Sequence, residues 1–284
     1  MTVVSTSATS SAVTATLSAF PRACRRAGAI GGLAAAGVLV FATPASALGI
    51  DITVENLAAA NGIAFAPLHV GFHRGGFDAF DIGAVAGDAI VSVAEGGAGA
   101  AWQAAFAAAD PGANRGTVGG LLLPGQTATL RLDVDPLTNP FFTFAAMVVP
   151  SNDFFIGNDS PTRYQVFDAG GQLQLGSITQ SARQIWDAGS EVFDPAAAAF
   201  VGDNGLRSPQ NSVVAFNFGE LAGFNGLTTG AGYVFDSGLA ADTEVYRISF
   251  AVAAVPEPES YALMLAGLAA VGGLARRRQR RQPM

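Results

Sequence analysis

The chain has 284 residues and carries 15 basic side chains, all of them arginine, against 22 acidic ones. Residues 48–255 hold seven of the arginines and twenty of the acids, which leaves this stretch with a net charge of −13. An acidic surface of this kind lacks the basic footprint of nucleic-acid binding, so we expect no nucleic-acid partner. The single cysteine, Cys24, precedes this stretch, and the domain is therefore expected to have no disulfide.

The first 47 residues have the pattern of a signal peptide. Arginines between residues 22 and 26 form a basic region, and residues 27–42 form an apolar stretch. Ala45-Ser46-Ala47 then supplies the small side chains of a cleavage site, which predicts a mature chain that begins at Leu48. We therefore expect export through the Sec machinery and a folded domain that spans residues 48–254.

This domain reads mainly as β-strands. Residues 50–55 and 127–135 alternate apolar with polar side chains, as strands buried on one face do. Residues 141–149 are almost continuously apolar, which predicts a strand buried on both faces. Further strands are predicted at residues 213–218 and 245–252, the latter as the closing strand. Short strands separated by Gly and Pro loops favour an all-β fold, an antiparallel β-sandwich, over a βαβ architecture.

One short helix is predicted within the sandwich, at residues 98–109, where Trp102 and Phe106 lie at helical spacing. The preceding residues 89–93 read as a strand. The glycines at the start of the helix resemble a dinucleotide-binding loop only superficially, because Trp102 stands where the third glycine is required. We therefore expect no nucleotide cofactor.

Several other chemical patterns are incomplete in this sequence. His69 and His73 are the only histidines, and on a strand they would lie on one face but about 13 Å apart, too far to share a zinc ion. Asp133-Val134-Asp135 begins like an EF-hand loop, but Thr138 replaces the glycine that such a loop needs. Neither a cysteine nucleophile nor a Gly-x-Ser-x-Gly elbow occurs in the domain. A carboxylate pair for glycoside hydrolysis stays open, because twenty acids allow many pairs and nothing selects one.

Three acidic residues on two predicted loops are candidates for a metal site. Asp153 lies in a polar turn directly after the predicted strand at residues 141–149. Asp187 and Glu191 lie four residues apart, around a small Ala-Gly-Ser centre. Hard cations take several oxygen ligands at about 2.3–2.6 Å, from carboxylates and from carbonyl groups that a loop can turn inward. If the two loops meet at one end of the sandwich, these three acids would suit Ca²⁺.

Three segments of the domain together resemble the spondin domain, the N-terminal module of extracellular-matrix proteins such as F-spondin and mindin. They are residues 65–73 (Phe-Ala-Pro-Leu-His-Val-Gly-Phe-His), residues 147–157 (Met-Val-Val-Pro-Ser-Asn-Asp-Phe-Phe-Ile-Gly) and Trp186-Asp187-Ala188-Gly189-Ser190-Glu191. The likeness runs from about residue 50 to residue 194, with a closing strand at residues 245–252.

The spondin resemblance implies a C2-like antiparallel β-sandwich of about eight strands that is non-enzymatic and binds a calcium ion at one end. By position, the calcium ligands of the family fall on Asp153, Asp187 and Glu191. Glu191 is a departure, because the third ligand is usually an aspartate. The segment 158–181 has none of the cysteines of the animal proteins, and residues 195–244 do not align with the family.

Residues 255–284 form a distinct tail. Pro256-Glu257-Pro258 is expected to be stiff and extended. The apolar residues 261–275 follow and end at five arginines between residues 276 and 281, which predicts a transmembrane helix whose basic end stays in the cytoplasm. This order of parts resembles the PEP-CTERM sorting signal of Gram-negative bacteria. The resemblance implies transient anchoring in the inner membrane, cleavage by an exosortase, and delivery to the cell surface or the extracellular space.

The leading functional hypothesis is an exported, non-catalytic, calcium-binding module. It would mediate adhesion, or contacts with matrix or exopolysaccharide, at the bacterial surface. One alternative is a carboxylate-dependent hydrolase of matrix polysaccharide, whose turnover would be lost when one acid is changed. The other is a purely structural matrix protein, which would bind no glycan with or without calcium.

Overall fold

The computed structural model describes residues 47–254 and 258–279. The predicted signal peptide therefore lies outside the described residues except for Ala47, and so do the first part of the Pro-Glu-Pro segment and the last arginines of the tail.

The described residues form twelve strands and three α-helices. The strands are β1 (Leu48–Asn56), β2 (Ala64–Phe65), β3 (Leu68–His73), β4 (Asn114–Val118), β5 (Thr127–Val134), β6 (Phe141–Val149), β7 (Phe154–Gly157), β8 (Tyr164–Gln165), β9 (Ser177–Ser181), β10 (Ile185–Asp187), β11 (Ala215–Phe216) and β12 (Glu244–Val252). The helices are α1 (Asp88–Gly96), α2 (Ala100–Ala109) and α3 (Pro258–Gln279). Short 3₁₀ segments occupy Ala182–Gln184, Asn204–Leu206 and Phe218–Phe224.

The strands form two antiparallel sheets. One has four strands in the order β5-β1-β12-β9. The other has eight, in the order β11-β10-β7-β6-β3-β4, with β2 and β8 also paired to β6. This arrangement is consistent with a β-sandwich and confirms the mainly β, antiparallel class. The predicted number of about eight strands is too low, because the loops contribute two-residue strands such as β2, β8 and β11 that have no recognisable alternation.

The main core is built from the alternating faces of the long strands. In β1, Ile50, Ile52 and Val54 are buried, while the residues between them are partly exposed. They belong to the same apolar cluster as Phe142 and Phe144 of β6. Burying apolar surface contributes about 25 cal/mol per Å², so large aromatic side chains such as these dominate the stability of the core.

A second apolar cluster lies on the other face of the eight-stranded sheet, where α1 and α2 cover it. Trp102 and Phe106 of α2 pack with Phe77, whose ring stacks on that of Phe106 at a centroid distance of 4.1 Å. Ala145 of β6 joins this cluster, whereas Phe144 joins the main core. Strand β6 is therefore buried on both faces, as its continuous apolar run predicts.

Two consecutive helices stand where the sequence predicts a strand followed by one helix. The predicted helix is confirmed, with its start at Ala100. The strand predicted at residues 89–93 is wrong, because these residues belong to α1. Ile90, Val93 and Ala94 bury one side of α1, which is helical spacing, and Gly97 ends the helix in the left-handed conformation at φ 63°.

The contact between α2 and β3 gives a testable prediction. A Cβ atom on Gly71 would collide with the ring of Phe106, which lies directly against this glycine. We expect Gly71→Ala to lower the free energy of unfolding by about 1–3 kcal/mol through overpacking, measured by denaturant titration. The control Gly120→Ala places its methyl in open space and should change stability by less than about 0.5 kcal/mol. Equal effects of the two substitutions would contradict this packing.

The tail contains helix α3, which spans Pro258–Gln279. Among the described residues, no helix is both long enough and apolar enough to cross a membrane. The apolar part of α3, residues 261–275, is about 22 Å long at 1.5 Å per residue, which is shorter than the roughly 30 Å hydrocarbon core of a bilayer. Its ends carry Glu259 and the first arginines of the basic cluster. The prediction of a transmembrane helix in this segment therefore has no support among the described residues.

Candidate metal centre

Two of the three predicted metal ligands meet at one end of the eight-stranded sheet. Asp153 directly precedes β7, and Asp187 is the last residue of β10, which pairs with β7 so that Asp187 lies opposite Phe154. The amide of Ala188 also donates to the backbone carbonyl of Asp153 at 3.1 Å. Both acids are buried, with exposed fractions of 3% for Asp153 and 8% for Asp187. The two predicted loops therefore come together as the sequence analysis expects.

The Asp153 carboxylate organises the loop that follows β10. Its Oδ2 atom accepts hydrogen bonds from the Ser190 amide at 2.7 Å, the Ser190 hydroxyl at 3.2 Å and the Glu191 amide at 2.9 Å. The chain can turn here because Gly189 adopts φ 67°, and a Cβ atom at this position would press against the backbone of Ser212. This local geometry fixes the Ala-Gly-Ser centre beside Asp153.

The Asp187 carboxylate contacts Asn217, a residue that was not among the predicted ligands. Its Oδ1 atom accepts from the Gly189 amide at 2.7 Å, and its Oδ2 atom accepts from Asn217 Nδ2 at 3.1 Å. Asn217 Nδ2 also donates to Glu220 Oε1 at 2.5 Å. Asn217 and Glu220 thus join the centre from residues 195–244, where no motif in the sequence indicated them.

Burial and like charge dominate the electrostatics of this centre. Burial, and next the neighbouring Asp187 carboxylate, raise the pKa of Asp153 to about 7, although its three hydrogen-bond donors act in the opposite direction. Burial is also the main cause that raises the pKa of Glu220, and the charge of Asp187 adds to it. Within the described residues, no arginine forms an ion pair with Asp153 or Asp187. The centre therefore concentrates negative charge without a protein cation.

The third predicted ligand, Glu191, has its backbone at this centre but its carboxylate elsewhere. Glu191 Oε1 pairs with Arg207 Nη1 at 3.1 Å, and the same nitrogen pairs with Glu95 Oε2 at 2.9 Å. The other oxygen, Oε2, is buried and has no hydrogen-bond partner within the part of the chain that the structure describes. Burial, followed by the charge of Glu95, raises the pKa of Glu191, and the Arg207 guanidinium opposes this shift. The structure thus does not bring the Glu191 carboxylate into direct contact with the other two.

The residues fit a calcium ion in part. In the part of the chain that the structure describes, no three or more acidic, histidine or cysteine side chains are grouped closely enough to hold a metal ion by themselves. Calcium takes six to eight oxygen ligands and accepts carbonyl groups and water among them. The buried pair Asp153 and Asp187 supplies two carboxylates, whereas the Glu191 carboxylate is paired with Arg207. A calcium ion here would depend on loop carbonyls and water for its remaining ligands.

The two histidines are separate from this centre. Both lie on β3 and both are buried. His69 contacts the Thr117 hydroxyl and the Gly97 carbonyl, and His73 contacts the Thr143 hydroxyl at 2.9 Å. Burial lowers the pKa of His69 and lowers the pKa of His73 to about 4. Each histidine is therefore a core residue with protein partners.

Comparison with known proteins identifies the tail. Residues 254–281 match the family model of the PEP-CTERM protein-sorting motif. No curated protein matches the chain. The spondin resemblance stays a prediction, because the matched residues lie outside it. The match confirms the sorting motif predicted at this end of the chain, which indicates an exported protein that undergoes membrane-associated sorting in a Gram-negative bacterium and is processed by an exosortase.

Proposed function

We propose that residues 48–254 form a non-catalytic, spondin-like module that is stabilised by Ca²⁺ at the Asp153–Asp187 pair. The exosortase route delivers this module to the cell surface or the extracellular matrix, where it mediates adhesion or contacts with matrix polysaccharide. The sorting motif supports the exported location.

The observation that carries the calcium proposal is the adjacency of two buried carboxylates, neither of which is paired with an arginine of the described residues. Burying ionised carboxylates without a counter-charge is costly. A divalent cation between them would offset this cost, and oxygen ligands on loops are the ligands that Ca²⁺ prefers. Because such an ion binds the folded state only, it would stabilise the fold by mass action.

The same burial favours a structural role for these acids over hydrolysis. A glycosidase holds its two carboxyl groups about 5–10 Å apart on either side of an accessible glycosidic bond. Asp153 instead uses one oxygen to hold the loop at Ser190 and Glu191, and it is 3% exposed. We therefore place the hydrolase second, and we expect no turnover of polysaccharide by the purified protein.

Calorimetric titration of Ca²⁺ into the purified protein tests the proposal. We expect one binding site in the wild type and a chelator-sensitive melting temperature, because the ion adds stability only when bound. Asp187→Asn should abolish the heat of binding. The control Asp168→Asn changes an aspartate whose Oδ1 accepts from Gly170 and Gln172 in its own turn, and it should leave calcium binding intact.

The opposite result is equally informative. No heat and an unchanged melting temperature in wild type and Asp187→Asn alike would remove the metal site. The buried pair would then need another explanation, and the hydrolase hypothesis would be tested next on neutral and acidic polysaccharides.

A further inference from the structure

A cavity of about 250 Å³ lies beside Trp186 of β10, which is the strand that also carries Asp187. Two aromatic side chains, Tyr164 and Trp186, form part of its wall. Three side chains with hydrogen-bonding groups, Asp159, Arg163 and Gln184, also line the cavity. None of these residues belongs to the proposed calcium centre.

The polar side chains of this cavity have unused hydrogen-bonding capacity. Arg163 lies over the Tyr164 ring at 5.9 Å and forms no ion pair with a carboxylate of the described residues. Asp159 accepts from the Ile82 amide through Oδ1, and its Oδ2 atom has no hydrogen bond among the described residues. Gln184 accepts from the Ser181 amide through Oε1, which leaves its NH₂ group as a donor. The cavity therefore offers donors from two side chains and an acceptor from a third.

This combination suits a sugar ring better than other small ligands. Each hydroxyl group both donates and accepts, so it satisfies a wall that carries donors and an acceptor together. The C–H faces of a pyranose can pack on the apolar surface of an aromatic ring. The opposite charges of Arg163 and Asp159 compensate each other, and the net charge of −13 over residues 48–255 disfavours an acidic polymer.

We propose that this cavity binds one unit of a neutral saccharide. The ring packs against Trp186, and its hydroxyl groups bond to Arg163, Asp159 and Gln184. The site deepens the proposed function, because it names the class of matrix ligand and the residues that recognise it.

Aromatic residues continue from the cavity along the edge of the sheet. The Trp186 ring lies 6.4 Å from that of Phe216, which stacks on Phe218 at 5.1 Å. Phe216 is 44% exposed and belongs to the edge strand β11. Between the two phenylalanines, Asn217 donates to Asp187. A longer saccharide chain would therefore extend over Phe216 and Phe218, and calcium at Asp187 would hold this segment in place.

Tryptophan fluorescence provides the test. The chain has two tryptophans, and Trp102 is fully buried, so a change on ligand addition reports on Trp186. The probes are glucose, mannose, galactose and N-acetylglucosamine, each also as a neutral oligosaccharide, and an acidic polyuronate. We expect saturable quenching by at least one neutral sugar. Arg163→Ala should weaken its binding about tenfold, as loss of a hydrogen bond to a charged group predicts.

Arg183→Ala is the matched control. Arg183 is also an exposed arginine without an ion pair among the described residues, but it does not line the cavity. Its substitution should leave the affinity unchanged. No quenching by any neutral sugar, equal effects of the two arginine variants, or tighter binding of the polyuronate would each overturn the proposal.

A chelator separates this site from the calcium centre. If both proposals hold, chelation should lower the affinity for the oligosaccharide and leave the affinity for the monosaccharide unchanged. Monosaccharide binding with no calcium response would retain the cavity and reject the calcium centre. Calcium binding without any sugar binding would retain the calcium centre and reject the sugar site in the cavity.

Discussion

Replacing Arg207 with alanine should lower the free energy of unfolding by about 2–3 kcal/mol. Arg207 is the cation that pairs with both Glu95 and Glu191, and the side chain of Glu191 is only 1% exposed. Its removal would leave a buried carboxylate without its partner, which costs about 3–5 kcal/mol for a fully buried pair. We expect a smaller loss of stability because the Arg207 side chain is 43% exposed and its charge is partly screened by water. Urea titration in the presence of a chelator measures the loss.

Two companion variants test the cause of this loss. Arg131→Ala also removes an arginine–carboxylate pair, but Arg131 and Asp51 are 58% and 29% exposed, so its cost should stay below about 1 kcal/mol. Adding Glu191→Gln to the Arg207→Ala variant should recover part of the stability, because the buried charge is removed. Equal losses for the two arginine variants would contradict a special role for the buried Glu191.

Replacing Asp153 with asparagine should stabilise the calcium-free protein at pH 8 and destabilise the calcium-loaded one. Without the metal, the folded state must carry the ionised Asp153 beside Asp187. The pKa of Asp153 is raised from 3.8 to about 7, so between these values the folded state binds more protons than the unfolded state. The stability contributed by this group therefore falls as the pH rises from about 4 to about 7 and then levels off.

The pH dependence of the variant isolates this effect. A difference of one pKa unit corresponds to about 1.4 kcal/mol. Within that window, the free energy of unfolding of the variant should therefore rise relative to that of the wild type by on the order of 1 kcal/mol per pH unit. Comparison at each pH is needed because His73, with its pKa lowered to about 4, costs stability as the pH falls below about 6.5. Thermal unfolding from pH 4 to 8, in chelator and in calcium, gives both series. A constant difference between the proteins would contradict the raised pKa.

The parts of the fold that were predictable are those with a local pattern. The alternation in residues 127–135 marks β5, which spans Thr127–Val134, and the apolar run of β6 gives both its bounds and its burial on two faces. Residues 89–93 were assigned wrongly because a short apolar run fits a strand and a helix equally well. The structure has helix α1 here, which buries Ile90, Val93 and Ala94 against the sheet at helical spacing.

The candidate site was predictable only where its residues lie in recognisable loops. Asp153 directly precedes β7 and Asp187 ends β10, and the pairing of these two strands brings the acids together. Asn217 approaches Asp187 from 30 residues further along the chain, and no periodicity in the sequence records such a contact. The carboxylate of Glu191 points to Arg207, a partner in a segment with no aligned motif. The part of the site that could not be predicted is therefore formed by contacts between loops that lie far apart in the sequence.

Locating the ion is the most direct measurement of the calcium centre. A crystal of the protein grown with Ca²⁺ would show it by anomalous scattering. We expect one peak with both Asp153 and Asp187 oxygens at about 2.3–2.6 Å. An ordered pair of carboxylates with no peak between them, at a calcium concentration far above the physiological range, would contradict the proposed centre.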